Sequence, residues 1–468
     1  MMKSPGLPVR LFGSAVLLLL AAGQAAQAQF GGMGGLGGMG AGMGTMPDNS
    51  AAPSPRVSFR PWVSANGTYS EILSQNAPGV LPQADTYGYG AAAGVSGGKA
   101  FNRTMVAGYY TGTYQRYSRS VFARGLNQVG GITVQHRASE RTTLFASEFA
   151  GSSNGGYGYG AAAGAFGGWG VSGASIFSDL GAGGIGFSDP ASNGLVDNEL
   201  FGTRVHYTGT SGGMSYQPNL RWSFTAMGTG SFVRRKGTGL SDLNAYSVGG
   251  QTAYRVSQST QVGGAYQFGD FTYPNRFGGN RVHQVALMTR HQFGPSVSVN
   301  LMAGAFRYNS TFLGQVAIDP ELAGLLGQGS ILSISKLSRT GWVGSASLGR
   351  AWRYWSANVA YNHGVSPGNG VMYVSKRDAV TGAASTSLGR LSMGVFGGYY
   401  RLTGLLQSGA STRNASVGGT TGIRLAGNLY LGASGGYSRF ETNVSKAQWR
   451  RFVALHLTWS PEDAAFRF

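Results

Sequence analysis

From residue 57 to residue 460 the chain keeps one pattern: segments of about 10–14 residues in which apolar side chains alternate with small or polar ones. A two-residue period is that of a β-strand, whose successive side chains point to opposite faces. In 428–440, Leu429, Leu431, Ala433, Gly435 and Tyr437 share one face, and Tyr430, Gly432, Ser434, Gly436 and Ser438 the other. In 449–460, Val453, Leu455, Leu457 and Trp459 oppose Ala454, His456, Thr458 and Ser460. Trp355, Ala357, Val359 and Tyr361 alternate with polar neighbours in the same way, as do Tyr246, Val248, Gly250, Thr252 and Tyr254. Such segments exceed the usual soluble strand of about 5–6 residues and match a tilted strand crossing a bilayer.

Many long strands, each with an apolar face, need a cover and have no free edge to spare. In hydrocarbon every backbone N–H and C=O must be paired, so a sheet there has to close on itself. Composition agrees. Charged residues make up only 11% of the chain and aromatics 12%, with 80 glycines in 468 residues. A soluble domain carries about 25% charged residues, so this surface does not all face water. Trp222, Trp355, Trp449, Trp459, Tyr361, Tyr399 and Tyr437 stand near predicted strand ends, as in the aromatic girdles of membrane barrels. A propeller would show a repeat of roughly 40 residues and shorter strands, and neither is present.

The connections alternate in length. Tight turns bearing Arg (137–141, 217–221, 348–350, 388–390) and the turn 426–428 alternate with longer Gly, Ser, Asn and Asp stretches such as 72–86, 365–378 and 403–412. Short turns at one rim and long loops at the other are the habit of outer-membrane barrels, with the short turns periplasmic. The expected fold is all-β: a transmembrane antiparallel up-and-down β-barrel of about 18 strands, with 16 or 20 as alternatives. Two loops are predicted to be long. Residues 153–200 repeat at 157–164 the YGYGAAAG of 87–94 and could hold an extra hairpin. Residues 310–338 contain Asp319-Pro320-Glu321 running to Gly327, the signature of a short capped helix.

Lys3 and Arg10, the apolar run 11–22 and Ala26-Gln27-Ala28 read as a secretory signal over 1–28, cleaved after Ala28. That run is too short to span about 30 Å of hydrocarbon. Residues 29–56, rich in Gly, Met and Pro, are expected to be a flexible linker, and 461–468 a C-terminal tail. The formal charge of +19 becomes +17 without Lys3 and Arg10.

On these residues the chain resembles the porin-like outer-membrane β-barrel proteins of Gram-negative bacteria across 57–460. The resemblance rests on the signal segment, the alternating strands, the Arg-bearing turns and the terminal Phe468. It implies a place in the outer membrane among its lipids and lipopolysaccharide, and insertion by the outer-membrane assembly machinery, which in such proteins reads a terminal aromatic residue. Here Ser460-Pro461-Glu462-Asp463 interrupts the pattern before Phe466-Arg467-Phe468. Either the tail rejoins the sheet or the final strand stops at Ser460. An oligomer is compatible with this class.

No catalytic, cofactor or metal site is predicted. His136, His206, His283, His291, His363 and His456 lack metal-ligand spacing; His283 and His291, eight residues apart on one strand, are roughly 26 Å apart. With no cysteine there is no thiolate chemistry. Basic residues are scattered singly, which argues against a nucleic-acid partner. Two readings remain: a passive pore for small hydrophilic solutes, or a non-conducting surface protein whose loops bind polysaccharide or other cells. For the pore, the candidate lining residues are Arg255, Arg424, Arg450 and Glu148, with basic side chains favouring a mild anion preference. Since 29–56 shows no alternation, joining residues 1–28 directly to Ser54 should leave insertion intact. The test is a heat-modifiable band in the outer-membrane fraction; export without insertion would show the linker to be structural.

Overall fold

A computed structural model describes residues 58–74, 84–118, 125–154, 204–236, 241–274, 277–294, 296–317, 330–352, 354–366, 374–405, 410–442 and 448–460. The predicted signal segment with Ala28, the linker 29–56, residues 155–200 of the insertion, the capped helix and the tail lie outside them. The described chain forms one 18-stranded sheet in which each strand pairs antiparallel with the next in sequence. Its strands are β1 (58–74), β2 (84–100), β3 (104–117), β4 (125–137), β5 (142–154), β6 (204–216), β7 (222–236), β8 (243–255) and β9 (260–272). They continue as β10 (278–293), β11 (297–317), β12 (330–351), β13 (355–366), β14 (375–388), β15 (391–404), β16 (411–426), β17 (429–442) and β18 (448–459). The first and last strands pair from Val63↔Trp459 to Ser74↔Gln448, closing the ring. The seam is stitched by Thr458 Oγ1 donating to Ser64 Oγ at 3.1 Å and by an Arg451–Glu71 ion pair.

Of the expected counts, 18 is found, not 16 or 20. Two boundaries move. The loop expected at 310–338 shrinks, because β11 and β12 stay in register up to Ala317↔Ser330. The alternation of Ile331, Leu332, Ser333, Ile334 and Ser335 is strand pattern, and it outweighs the loop reading. The turn expected at 348–350 is strand, since β12 runs to Ala351 and β13 begins at Trp355. At 389–390 and 427–428 two residues suffice, with Gly389 at φ 61° and Gly427 at φ 49°, a conformation glycine adopts without strain.

One face of the sheet is convex, apolar and exposed: Val285, Leu287, Leu301, Leu332, Leu348, Val417, Leu431, Val453, Leu455 and Leu457 all stand on it. Aromatic pairs fringe this face at both ends. Trp222 packs on Phe224 and Tyr254 at the short-turn end, and Phe232 on Tyr246 and Tyr437 on Trp449 at the other. On β18, Trp449 and Trp459 are ten residues apart, about 33 Å along the strand and about 25 Å at a tilt near 40°. That is the height of a lipid-facing apolar band.

The inward face solves a different problem, since curvature crowds its side chains. Here an aromatic ring lies over the glycine directly opposite on the next strand. The pairs include Trp62 over Gly94, Tyr117 over Gly88, Tyr207 over Gly151, Phe149 over Gly209 and Phe306 over Gly341. A Cβ at any of these glycines would lie 2.2–2.6 Å from the ring. The high glycine content thus makes room for large inward side chains. Gly209→Val should destabilise the barrel by about 1–3 kcal/mol, because Phe149 has nowhere to go. Unfolding of the lipid-reconstituted protein in urea measures this, and Phe149→Leu in the same chain should restore part of the loss.

Candidate functional site

The space enclosed by the ring is the candidate site, and alternation decides which side chains reach it. Within the described strands the inward face carries Arg137, Arg235, Arg255, Arg290, Arg339, Arg377 and Arg424. They fall in two tiers. Arg137, Arg255, Arg290 and Arg424 stand toward the short-turn end, and Arg235, Arg339 and Arg377 toward the long-loop end. Arg255 ends β8, exposed at the rim. Arg424 sits two residues from the end of β16, where its Nε donates to the Gly427 carbonyl at 2.7 Å and its guanidinium lies 5.9 Å from the Tyr430 ring. Arg450 is placed opposite Ile72 and Ser438, near the long-loop end, and its side chain is outside the described residues. Arg235 is committed to structure: it is buried, its guanidinium donates to the Ser241 carbonyl and its amide to Asp242 Oδ1 at 2.8 Å.

The six carboxylates on described strands, Glu71, Asp85, Glu148, Asp270, Asp378 and Glu441, all stand on the outward face. Four of them have a basic partner there: Arg451 for Glu71, Arg281 for Asp270 at 3.3 Å, His363 for Asp378, and Arg439 for Glu441 at 3.1 Å. Glu148, expected to line the lumen, lies opposite Ile132 and Thr210, on the face of exposed Leu144. The reason is the ring-over-glycine rule. In Phe145-Ala-Ser-Glu-Phe149 the two phenyl groups turn inward over Gly213 and Gly209, which forces Glu148 out. The signal that reveals this is the pair of glycines on β6.

The lumen is less uniformly polar than the alternation predicts. Val129, Val205, Val233, Leu243, Phe271, Val282, Phe306 and Tyr308 point inward and form one packed cluster. Val282 and Tyr308 are both 0% exposed. This layer lies along β4–β11 on the long-loop side. The polar part of the lining includes Gln267, Asn280, Gln284, Asn300 and Ser310.

The histidines are dispersed. His136 and His291 each meet a threonine hydroxyl at 2.8 Å (Thr104 and Thr260), and His283 meets the Tyr266 hydroxyl at 2.9 Å. His363 stacks on Trp342. His456 points inward over Gly432. Among the described residues no group of His, Cys, Asp and Glu is placed to hold a metal ion.

No protein-family profile and no curated protein matches the chain. Solved structures of similar shape include OpdK, an outer membrane protein of Pseudomonas aeruginosa, at 11% identity and a TM-score of 0.42, covering 86% of this chain and 98% of that one. The ferric citrate transporter FecA is similar at 11% identity and a TM-score of 0.41; the match covers 81% of this chain and 60% of FecA. Nothing about function rests on likeness at this level. The architecture follows from the molecule's own geometry, a closed ring of strands with an apolar outward band between two aromatic fringes: the chain is a multi-pass transmembrane β-barrel of the outer-membrane type.

Proposed function

We propose that the barrel is a passive pore for small hydrophilic solutes with a mild preference for anions. The observation that carries this reading is the sorting of charge by face: inward strand positions bear arginine and, among the described residues, no carboxylate. An arginine-lined passage raises the local concentration of anions, and low-dielectric walls strengthen the field. Salt limits the effect, since the Debye length is about 10 Å at 0.1 M. The packed luminal layer of Val205, Val233, Leu243 and Phe271 narrows the passage on one side and keeps conductance modest. It is also the one feature favouring the second reading, a non-conducting surface protein.

Reversal potentials across a salt gradient in planar bilayers test the proposal. The unaltered barrel should favour anions, more so in dilute salt. Arg255→Ser with Arg290→Ser and Arg424→Ser should lower the anion-to-cation permeability ratio by on the order of twofold. Glu148→Gln should leave it unchanged, because that carboxylate faces lipid. Cation preference in the unaltered protein would overturn the charge argument, and a barrel that never conducts would favour the surface-binding reading.

A further inference from the structure

The long-loop end of the β6–β7 hairpin gathers positive charge on the outward face. The sequence there is Arg204-Val-His206 on one strand and Arg234-Arg-Lys236 on the other. Alternation turns Val205, Val233 and Arg235 inward, where all three are buried, and leaves Arg204, His206, Arg234 and Lys236 outward. The register sets like against like at Arg204, which lies directly opposite Lys236, and puts His206 directly opposite Arg234. Cations placed so are mutually destabilising unless an anion lies between or beside them.

Three other outward cations at this rim each have a carboxylate partner. Arg281 has Asp270, Arg439 has Glu441, and Arg451 has Glu71. Arg401 and Arg413 also face each other, but a carboxylate flanks each of them in the same cross-strand row, Asp378 beside Arg401 and Glu441 beside Arg413. At β6–β7 the hydrogen bonds go to neutral groups. Arg204 Nε donates to Ser152 Oγ at 3.1 Å, and Arg234 Nη1 to the Val233 and Leu243 carbonyls at 3.1 and 3.2 Å. Asp242, which precedes β8, accepts from the Arg235 amide. Among the described residues at this hairpin end, one carboxylate stands against Arg204, Arg234 and Lys236, a surplus of two positive charges. On β5 of the same face, Glu148 is four residues below Ser152, roughly 13 Å along the strand.

The height of the patch identifies its ligand. Phe232 packs edge-on against Tyr246 at 5.5 Å and marks the upper aromatic fringe on these strands. Arg234 and Lys236 follow two and four residues beyond it, roughly 5 and 10 Å further from the hydrocarbon. Side chains just above the fringe and pointing away from the barrel meet the headgroups of the outer leaflet, and the anionic groups there are phosphates. We propose that Arg204, Arg234 and Lys236, with Ser152 and His206 beside them, form a binding site for the phosphate groups of a phosphorylated glycolipid of that leaflet.

The full barrel, purified in detergent, is titrated with bisphosphorylated lipid A and with lipid A stripped of its phosphates, and occupancy is read by native mass spectrometry. Each juxtamembrane cation is worth roughly fivefold in affinity, so Arg234→Gln with Lys236→Gln should weaken binding of the phosphorylated lipid by roughly 30-fold. Lys236→Gln alone gives the single step should the double variant fail to show heat-modifiable folding. Arg281→Gln, at a balanced position, should change binding by less than about twofold. The stripped lipid should bind the unaltered barrel as weakly as the phosphorylated lipid binds the double variant. Equal binding by the unaltered and the altered barrels would overturn the site. Displacement of the lipid by inorganic phosphate at matched phosphate concentration would overturn the glycolipid as its ligand and leave a free-anion site.

Discussion

A backbone amide without a partner in hydrocarbon costs several kcal/mol, and each of these strands carries a row of them through the bilayer. That penalty makes the β1–β18 seam the condition on which the rest depends. Until Val63 to Ser74 pair with Trp459 to Gln448, two edges face lipid, and neither apolar side chains nor aromatic fringes can offset them. The side-chain stitching at the seam is accordingly minor. Arg451 is largely exposed, so solvent screens its pairing with Glu71, which adds little beside a whole row of backbone bonds.

Closure then dictates what the two faces can hold. The convex face is roomy and meets lipid, so Leu, Val and Ile splay outward there and remain accessible. The concave face converges, and two large side chains directly opposite one another would collide. Pairing a ring with a glycine resolves this, and it does so at Trp62 and Gly94, Phe149 and Gly209, and Phe306 and Gly341 alike. Glycine weakens a soluble strand through lost packing and greater unfolded-state entropy. Here the opposite ring supplies the missing packing, which reconciles 80 glycines with a continuous sheet.

The same logic separates what the sequence discloses from what it hides. Alternation alone gives the strands and the partition of each into two faces; the outward sets of β8, β13 and β18 are legible at mid-strand because Val248, Val359 and Leu455 have only small or polar neighbours in the chain on the opposite face. In β5 that rule fails. Phe145 and Phe149 outweigh Leu144 in hydrophobicity, so a reading by side-chain polarity sends them to lipid and Glu148 to the lumen. Only the cross-strand glycines Gly209 and Gly213, some sixty residues away in the chain, reveal the true sense. The apolar luminal layer around Leu243 and Val282 was hidden for the same reason, since an apolar residue at an inward position is indistinguishable by period from one at an outward position. Loop lengths misled at 310–338, where the ladder of β11 and β12 continues beyond the band that lipid requires.

Charge completes the division. A carboxylate on the outward face is tolerable near a rim when a cation shares its position, and Glu71, Asp270 and Glu441 meet that condition with arginine. An inward carboxylate outside the apolar layer would meet no such restriction, because the lining there is polar and faces no lipid. That the described inward strand positions nevertheless hold arginine without acid cannot follow from lipid exclusion. Arginine's aliphatic stem packs along the wall while its guanidinium reaches water. Packing alone would also admit glutamate or glutamine, and Gln267 and Gln284 do occupy such positions. Stability therefore accounts for long polar side chains in the lumen but not for their common sign.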